Sequence, residues 1–243
     1  MAFNFSPKVV TDGLVLALDA ANPKSYVSGS STWYDLSGNN NNFNLLNSPS
    51  YDGVKLSFNG TTQYGSCVNT TFGNFGTGSF TLEYVFYTDG TGSNTFASPI
   101  MKRLAVTTIG GLTGEGWVDR IFASIFFAQD NNPTAVRANA LEINYSTPYN
   151  KINHVVQVIS KDSTGLIVTG STYINNLVTA TATRTWIGNG SVDNNFNTQI
   201  MHSNGENGYL SGSMYIVRAY NRALSQSEIL QNYNATKGRF GLT

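Results

Sequence analysis

The chain has 243 residues, of which 12 % are charged, and its 14 Lys and Arg are balanced by 14 Asp and Glu. A neutral, charge-poor chain lacks the basic footprint of a nucleic-acid binder and the polybasic cluster that holds a protein to an acidic membrane. Its polar surface must come from Asn, Ser, Thr and Gly, which suits neutral partners such as sugars or other protein subunits.

This length predicts one large β domain over residues 1–243, with a core that folds without staples. Cys67 stands alone, so no intrachain disulfide forms, and it reads as a small buried apolar residue. The segment Met1–Pro7 has no basic or apolar region of a secretory signal, and no apolar run reaches membrane-spanning length. Synthesis in a cytosol is therefore expected, with residues 1–12 as a short arm. Triplets such as Asn69-Thr70-Thr71 read as chance matches to a glycosylation site.

Turn chemistry then punctuates the chain. Asp52-Gly53, Asn59-Gly60, Asp89-Gly90 and Asn189-Gly190 each supply residues for a hairpin turn. Between them lie alternating segments. Leu56 and Phe58 share a face, and so do Phe80, Leu82, Tyr84 and Phe86. Ile121–Phe127 and His154–Ile159 are apolar on both faces, and read as central strands covered on both sides or as strands at a subunit contact. Asn39–Asn42, Gly110–Gly116 and Asn131–Thr134 read as loops. Near the end, Ser225 and Glu228 form a capping box, and Leu224 and Ile229 take the positions of a hydrophobic staple. A helix is predicted over about residues 226–234, stopped by Lys237-Gly238 and docked through Ile229, Leu230 and Tyr233. Short strands divided by turns, closed by one short helix, predict an all-β sandwich or barrel.

Three stretches carry a resemblance. The first is Gly13–Tyr26 leading to Trp33-Tyr34-Asp35-Leu36-Ser37-Gly38-Asn39. The second is Leu56–Gly60 followed by Phe80–Phe86. The third is Gly208–Gly212 leading through Tyr215–Ser225 to Lys237-Gly238-Arg239-Phe240. Together they resemble the laminin-G-like branch of the concanavalin A-like lectin/glucanase superfamily, in the form found in structural proteins of tailed phages. The resemblance implies a two-sheet antiparallel jelly-roll sandwich in which the first and last segments pair side by side. It also implies paired central strands at His154-Val155-Val156 and Tyr173-Ile174, joined by a turn whose Asn176 replaces a glycine and tolerates the left-handed conformation. Trp33 and Asp35 would belong to a scaffold turn, with Asp35 accepting from nearby backbone N–H groups.

Glycosidases of that superfamily place two carboxylates on one strand as Glu-x-Asp-x-Glu, so that both point into one cleft. Here the five Glu residues lack such a partner; Glu142-Ile143-Asn144 comes nearest and Glu83 reads as isolated. His154 reads as a satisfied core histidine, and neither it nor His202 has a second ligand at metal-binding spacing. The expectation is that the chain is not an enzyme and needs no cofactor. Structural calcium at Asp89 or Asp193 stays open without assigned ligands.

Sugar binding needs exposed rings beside hydrogen-bonding groups. Trp117 and Tyr149 are the candidates for contact with a carbohydrate or partner. The leading expectation is a virion-surface subunit, a capsid decoration or appendage protein made in the bacterial host cytoplasm. Its expected partners are phage coat or other virion proteins and further copies of itself. The end of the chain at Thr243 favours decoration over a complete fibre. The alternative is an adhesin that recognises host surface glycans.

Overall fold

The computed structural model describes residues 8–92, 97–103, 141–186, 191–203 and 208–243 in full. It describes residues 106–108, 111–113, 116–119, 123–127 and 140 as backbone only. Chain order runs β1 (Leu14–Asp19), β2 (Thr32–Trp33), β3 (Phe43–Leu46), β4 (Ser50–Tyr51), β5 (Leu56–Asn59) and β6 (Tyr64–Cys67). The long β7 (Phe80–Gly92) precedes β8 (Ile100–Arg103), β9 (Val106–Thr108), β10 (Gly111–Thr113), β11 (Gly116–Asp119) and β12 (Ala123–Phe127). Then come β13 (Ala140–Asn144), β14 (Lys151–Lys161), β15 (Ile167–Ile174), β16 (Leu177–Thr185), β17 (Gln199–Ile200) and β18 (His202–Ser203). The chain closes with β19 (Gly208–Tyr220) and α1 (Gln226–Phe240).

Two antiparallel sheets face each other, as the all-β sandwich expectation requires. One has the order β16-β15-β14-β7-β19-β5-β4, with β1 also on β19; the other runs β13-β12-β11-β8-β17-β6-β3-β2. Pairing of Leu14–Asp19 with Ile216–Tyr220 brings the first and last strands side by side. β7 and β14 lie at the centre of the first sheet and are buried on both faces. Phe80, Leu82, Tyr84 and Phe86 of β7 and Val155 and Ile159 of β14 point into the inter-sheet core with Trp33 and Phe43. Val156, Val158 and Tyr220 face outward, where Leu224 and Ile229 cover them. Farther along the same face, Val85, Tyr215 and Ile216 pack on Phe240 and Leu242. The helix is therefore a third layer over the middle of one sheet.

The local devices form as their chemistry dictates. The Ser225 hydroxyl accepts from the Glu228 N–H while the Glu228 carboxylate accepts from the Ser225 N–H. Asn175 and Asn176 turn β15 into β16 with φ of 50° and 67°. The Asp35 carboxylate accepts from the N–H groups of Ala17, Ser37 and Asn41, and Trp33 is fully buried.

The structure corrects several local expectations. The helix does not stop at Lys237-Gly238 but continues to Phe240, with Gly241 at φ 64° as its left-handed cap. Glycine inside a helix costs about 1 kcal/mol relative to alanine. Docking of Phe240 edge-on against Tyr215, centroids 5.1 Å apart, gives that last turn a compensating burial. The buried stripe is accordingly Ile229, Asn232, Thr236 and Phe240, while Leu230 is exposed. Asp89-Gly90 is likewise no hairpin turn: it lies inside β7, opposite a register shift between Leu210 and Gly212 of β19, and forms a bulge. Gly212 is required there, because a Cβ would lie 2.1 Å from the Tyr87 carbonyl oxygen. Asn189-Gly190 and Asn131–Thr134 lie outside the described residues, as do 110, 114 and 115; the other residues of Gly110–Gly116, expected as a loop, instead form β10 and open β11.

Candidate functional site

Glu83 reads as isolated in sequence, yet three elements converge on it. The Arg218 guanidinium of β19 donates to Oε1 at 2.6 Å and the His154 Nε2 of β14 at 2.9 Å. The Asn232 carboxamide of α1 donates to Oε2 at 2.7 Å and to the Tyr220 hydroxyl at 2.9 Å. Asn232 in turn accepts from the Val10 N–H, and the Tyr220 hydroxyl donates to the Val10 carbonyl. Burial alone would raise the Glu83 carboxyl, but Arg218 and the His154 hydrogen bond bring it down to about 2. Glu83 and His154 are fully buried beneath the helix. The group therefore fastens helix, arm and central strands together and presents no surface to a ligand.

The sequence candidates fall in different places. Tyr149 is 46 % exposed just before β14, with its ring laid on the backbone of Gly90 in the β7 bulge. Trp117 lies on β11, opposite Phe126 and Lys102 in the ladder, and its side chain is outside the described residues. Asp89 spends its carboxylate on Thr91 and Ser211, and Asp193 accepts from the Gly76 N–H at 2.6 Å. No group of three or more His, Cys, Asp or Glu with metal-binding proximity occurs among the described residues. Between the Asp193 loop and the Thr70 loop sits the Lys102 ammonium, which donates to the carbonyls of Thr70 and Phe196 at 2.5 Å each.

A cleft that the sequence reading missed lies between residues 26–31 and 45–51. Its volume is about 190 Å³. Tyr26, Leu45, Pro49 and Tyr51 line it together with Ser28, Gly29, Ser30, Ser31 and Ser48, and none of these is charged. The two tyrosine rings meet edge to face at 4.8 Å. Their hydroxyls are already placed, Tyr51 donating to the Ala20 carbonyl and Tyr26 to that of Ser30. Burial raises the Tyr26 phenol, and Tyr51 beside it adds to the effect. Ser30 is committed to Thr32, whereas the hydroxyls of Ser28, Ser31 and Ser48 make no hydrogen bond among the described residues.

The walls are held open from outside. Asn47 and Ser48 both take left-handed backbone, φ 59° and 52°, and serine lacks the ease with which asparagine does so. The Gln63 carboxamide stabilises this turn by donating to both the Asn47 and Ser48 carbonyls, at 3.1 and 2.9 Å. Asn47 also donates to the Thr62 carbonyl at 2.7 Å. The only sequence signal for the cleft is two serine-bearing turns, Ser28–Ser31 and Asn47–Pro49, each close to a tyrosine.

None of the protein-family models matches the sequence, and no curated protein matches it. Solved structures match by shape. One is the Trypanosoma rangeli sialidase in complex with sialic acid, at 19 % identity and a TM-score of 0.61, covering 95 % of this chain and 34 % of the other. Another is the binding domain of Paraclostridial Mosquitocidal Protein 1, at 17 % identity and 0.58, covering 93 % and 52 %. A third is the binding domain of botulinum neurotoxin DC in complex with rat synaptotagmin II, at 14 % identity and 0.59, again 93 % and 52 %. The chain thus spans between a third and about half of these neighbours, and at such identities the likeness is one of fold. It places the chain among β-sandwiches of lectin-like shape. Sialidases among the neighbours correct the expectation that the chain is not an enzyme. A sandwich of this shape occurs within enzyme chains, so lacking one superfamily's carboxylate pair does not exclude catalysis.

Proposed function

We propose that the chain is a binding module for a neutral carbohydrate, which it engages in the Tyr26–Tyr51 cleft. One observation carries the reading: an uncharged recess with an aromatic floor and free serine hydroxyls at its edge. Sugars offer C–H faces to aromatic rings and hydroxyls to small polar groups, and a neutral site matches them without desolvating a charge. Toxin binding domains among the fold neighbours support a recognition role. A glycan array tests it with wild type and Ser31→Trp, which fills the recess from its exposed side. Specific binding lost in Ser31→Trp but kept in Tyr149→Ala and Trp117→Ala is the expected result. A blank array, or binding that only the last two variants abolish, contradicts it.

The resemblance to tailed-phage structural proteins supports a second reading, in which the module is carried on a virion as a capsid decoration or appendage subunit. The last of the three stretches that carry it, Gly208–Phe240, builds the shared strand β19 and the covering helix. Co-sedimentation with capsids lacking the protein tests this, saturable binding being the expected result and absence of binding the contrary one.

A further inference from the structure

A lateral edge of the larger sheet is formed by β16, which pairs with β15 on one side and with no other strand among the described residues. Seven of its nine residues are exposed, Leu177 at 71 % and Val178 at 53 %. Such an edge offers a row of unpaired N–H and C=O groups, and proteins usually blunt it with charged residues, proline or a β-bulge. The β16 sequence, Leu-Val-Thr-Ala-Thr-Ala-Thr-Arg-Thr, holds no proline, has Arg184 as its single charge, and is bulged at Thr179 alone, which leaves 180–185 a regular edge. The outer face of the strand is a hydroxyl ladder, Thr183 with Thr169 at 3.0 Å and Thr181 with Ser171 at 3.2 Å. Ala180 and Ala182 turn inward onto the core.

We propose that β16 is a dimer interface, pairing antiparallel with the same strand of a second copy about a twofold axis at Ala182. Three constraints select that register. Facing residues must share a sheet face, so a twofold axis perpendicular to the sheet passes through a residue rather than between two. The bulge at Thr179, where the register shifts opposite Thr172 and Tyr173, confines the regular edge to 180–185 and disfavours an axis at Thr181. An axis at Thr183 sets the two Arg184 guanidiniums only two positions apart, roughly 7 Å along the strand. At Ala182 they lie four positions apart, roughly 13 Å and beyond a Debye length of about 10 Å at 0.1 M salt. Thr181 then faces Thr183 of the partner subunit, and the joined edges satisfy each other's backbone without burying a like-charge pair.

Sedimentation velocity of the full chain across a hundredfold range of concentration tests association, and disulfide trapping tests the register. The expected result is reversible conversion of a 26.3 kDa species to twice that mass. Thr181→Glu combined with Thr183→Glu should weaken it by at least about tenfold, since like charges then face each other across the axis. A mixture of Thr181→Cys and Thr183→Cys chains should oxidise to a covalent dimer faster than either alone, with Cys67 fully buried and silent. A wild type that stays monomeric throughout overturns the proposal, and so does association that the double Glu variant leaves unchanged. Trapping no faster in the mixture than in the single variants overturns the register.

Discussion

Glu83 and His202 show how two buried titratable residues govern the acid response by different routes. Glu83 is held at about 2 in the fold against an ordinary 4.5, so the ionised carboxylate contributes stability above that ordinary value. The contribution is lost as pH falls from about 4.5 to 2, where the unfolded chain binds the proton first. His202 lies between Tyr64 and Tyr209, with centroids at 4.6 and 4.3 Å, and donates from Nδ1 to the Gln199 side chain. Burial lowers it to about 4 from 6.5, so the fold keeps it neutral while the unfolded chain protonates. Stability therefore falls as pH drops from about 6.5 to 4, by about 3 kcal/mol on the full shift. Denaturant titrations at stepped pH should show two separate windows, with His202→Phe flattening the upper and sparing the lower. One merged transition below pH 4 contradicts the assignment. Glu83→Gln should cost about 3–5 kcal/mol at neutral pH, because it leaves Arg218 buried beside a neutral amide. A midpoint unchanged in urea would show that the network carries no such weight.

At the scale of elements, the helix and β7 separate what was legible from what was not. The capping box and staple are read directly because they lie within six residues of one another. Ser225→Ala should lower stability by about 1 kcal/mol in thermal unfolding, and an unchanged melting temperature would contradict the cap's role. The helix runs past the strongest local stop signal, Gly238, because that signal is outweighed by Phe240 finding Tyr215 in a strand that sequence alone does not place beneath it. Alternation in Phe80–Phe86 marks the inner face of β7. Its outer face is buried only because α1, 140 residues later in the chain, comes to lie on it, and the pattern of the strand carries no trace of that. Gly212→Ala should cost several kcal/mol through collision with the Tyr87 carbonyl, measured as a lowered midpoint in urea. An unchanged midpoint would mean that the bulge relaxes freely.

For the whole molecule, sandwich class and pairing of first with last strand were accessible from turn spacing and from the resemblance of the chain's ends. The cleft was not, because its two walls are ordinary turns twenty residues apart and its floor is made of tyrosines that also serve the core. Nor was the Glu83 network, whose members stand 71, 135 and 149 residues from it along the chain. The candidates that sequence favours, Trp117 and Tyr149, are chosen as exposed rings beside turns, a criterion that Tyr26, only 3 % exposed, does not meet. What distinguishes Tyr26 and Tyr51 is convergence: Gln63 and Asn47 hold one wall while the Tyr26–Ser30 hydrogen bond holds the other.

The most direct test of carbohydrate recognition in this cleft is an amide chemical-shift titration of the isotopically labelled chain, using a panel of neutral oligosaccharides. The account predicts saturable shifts confined to residues 26–31 and 45–51, extending to Gln63 through its bonds to Asn47 and Ser48. Shifts centred on Tyr149 or on β11, or a spectrum that no oligosaccharide moves, would contradict it.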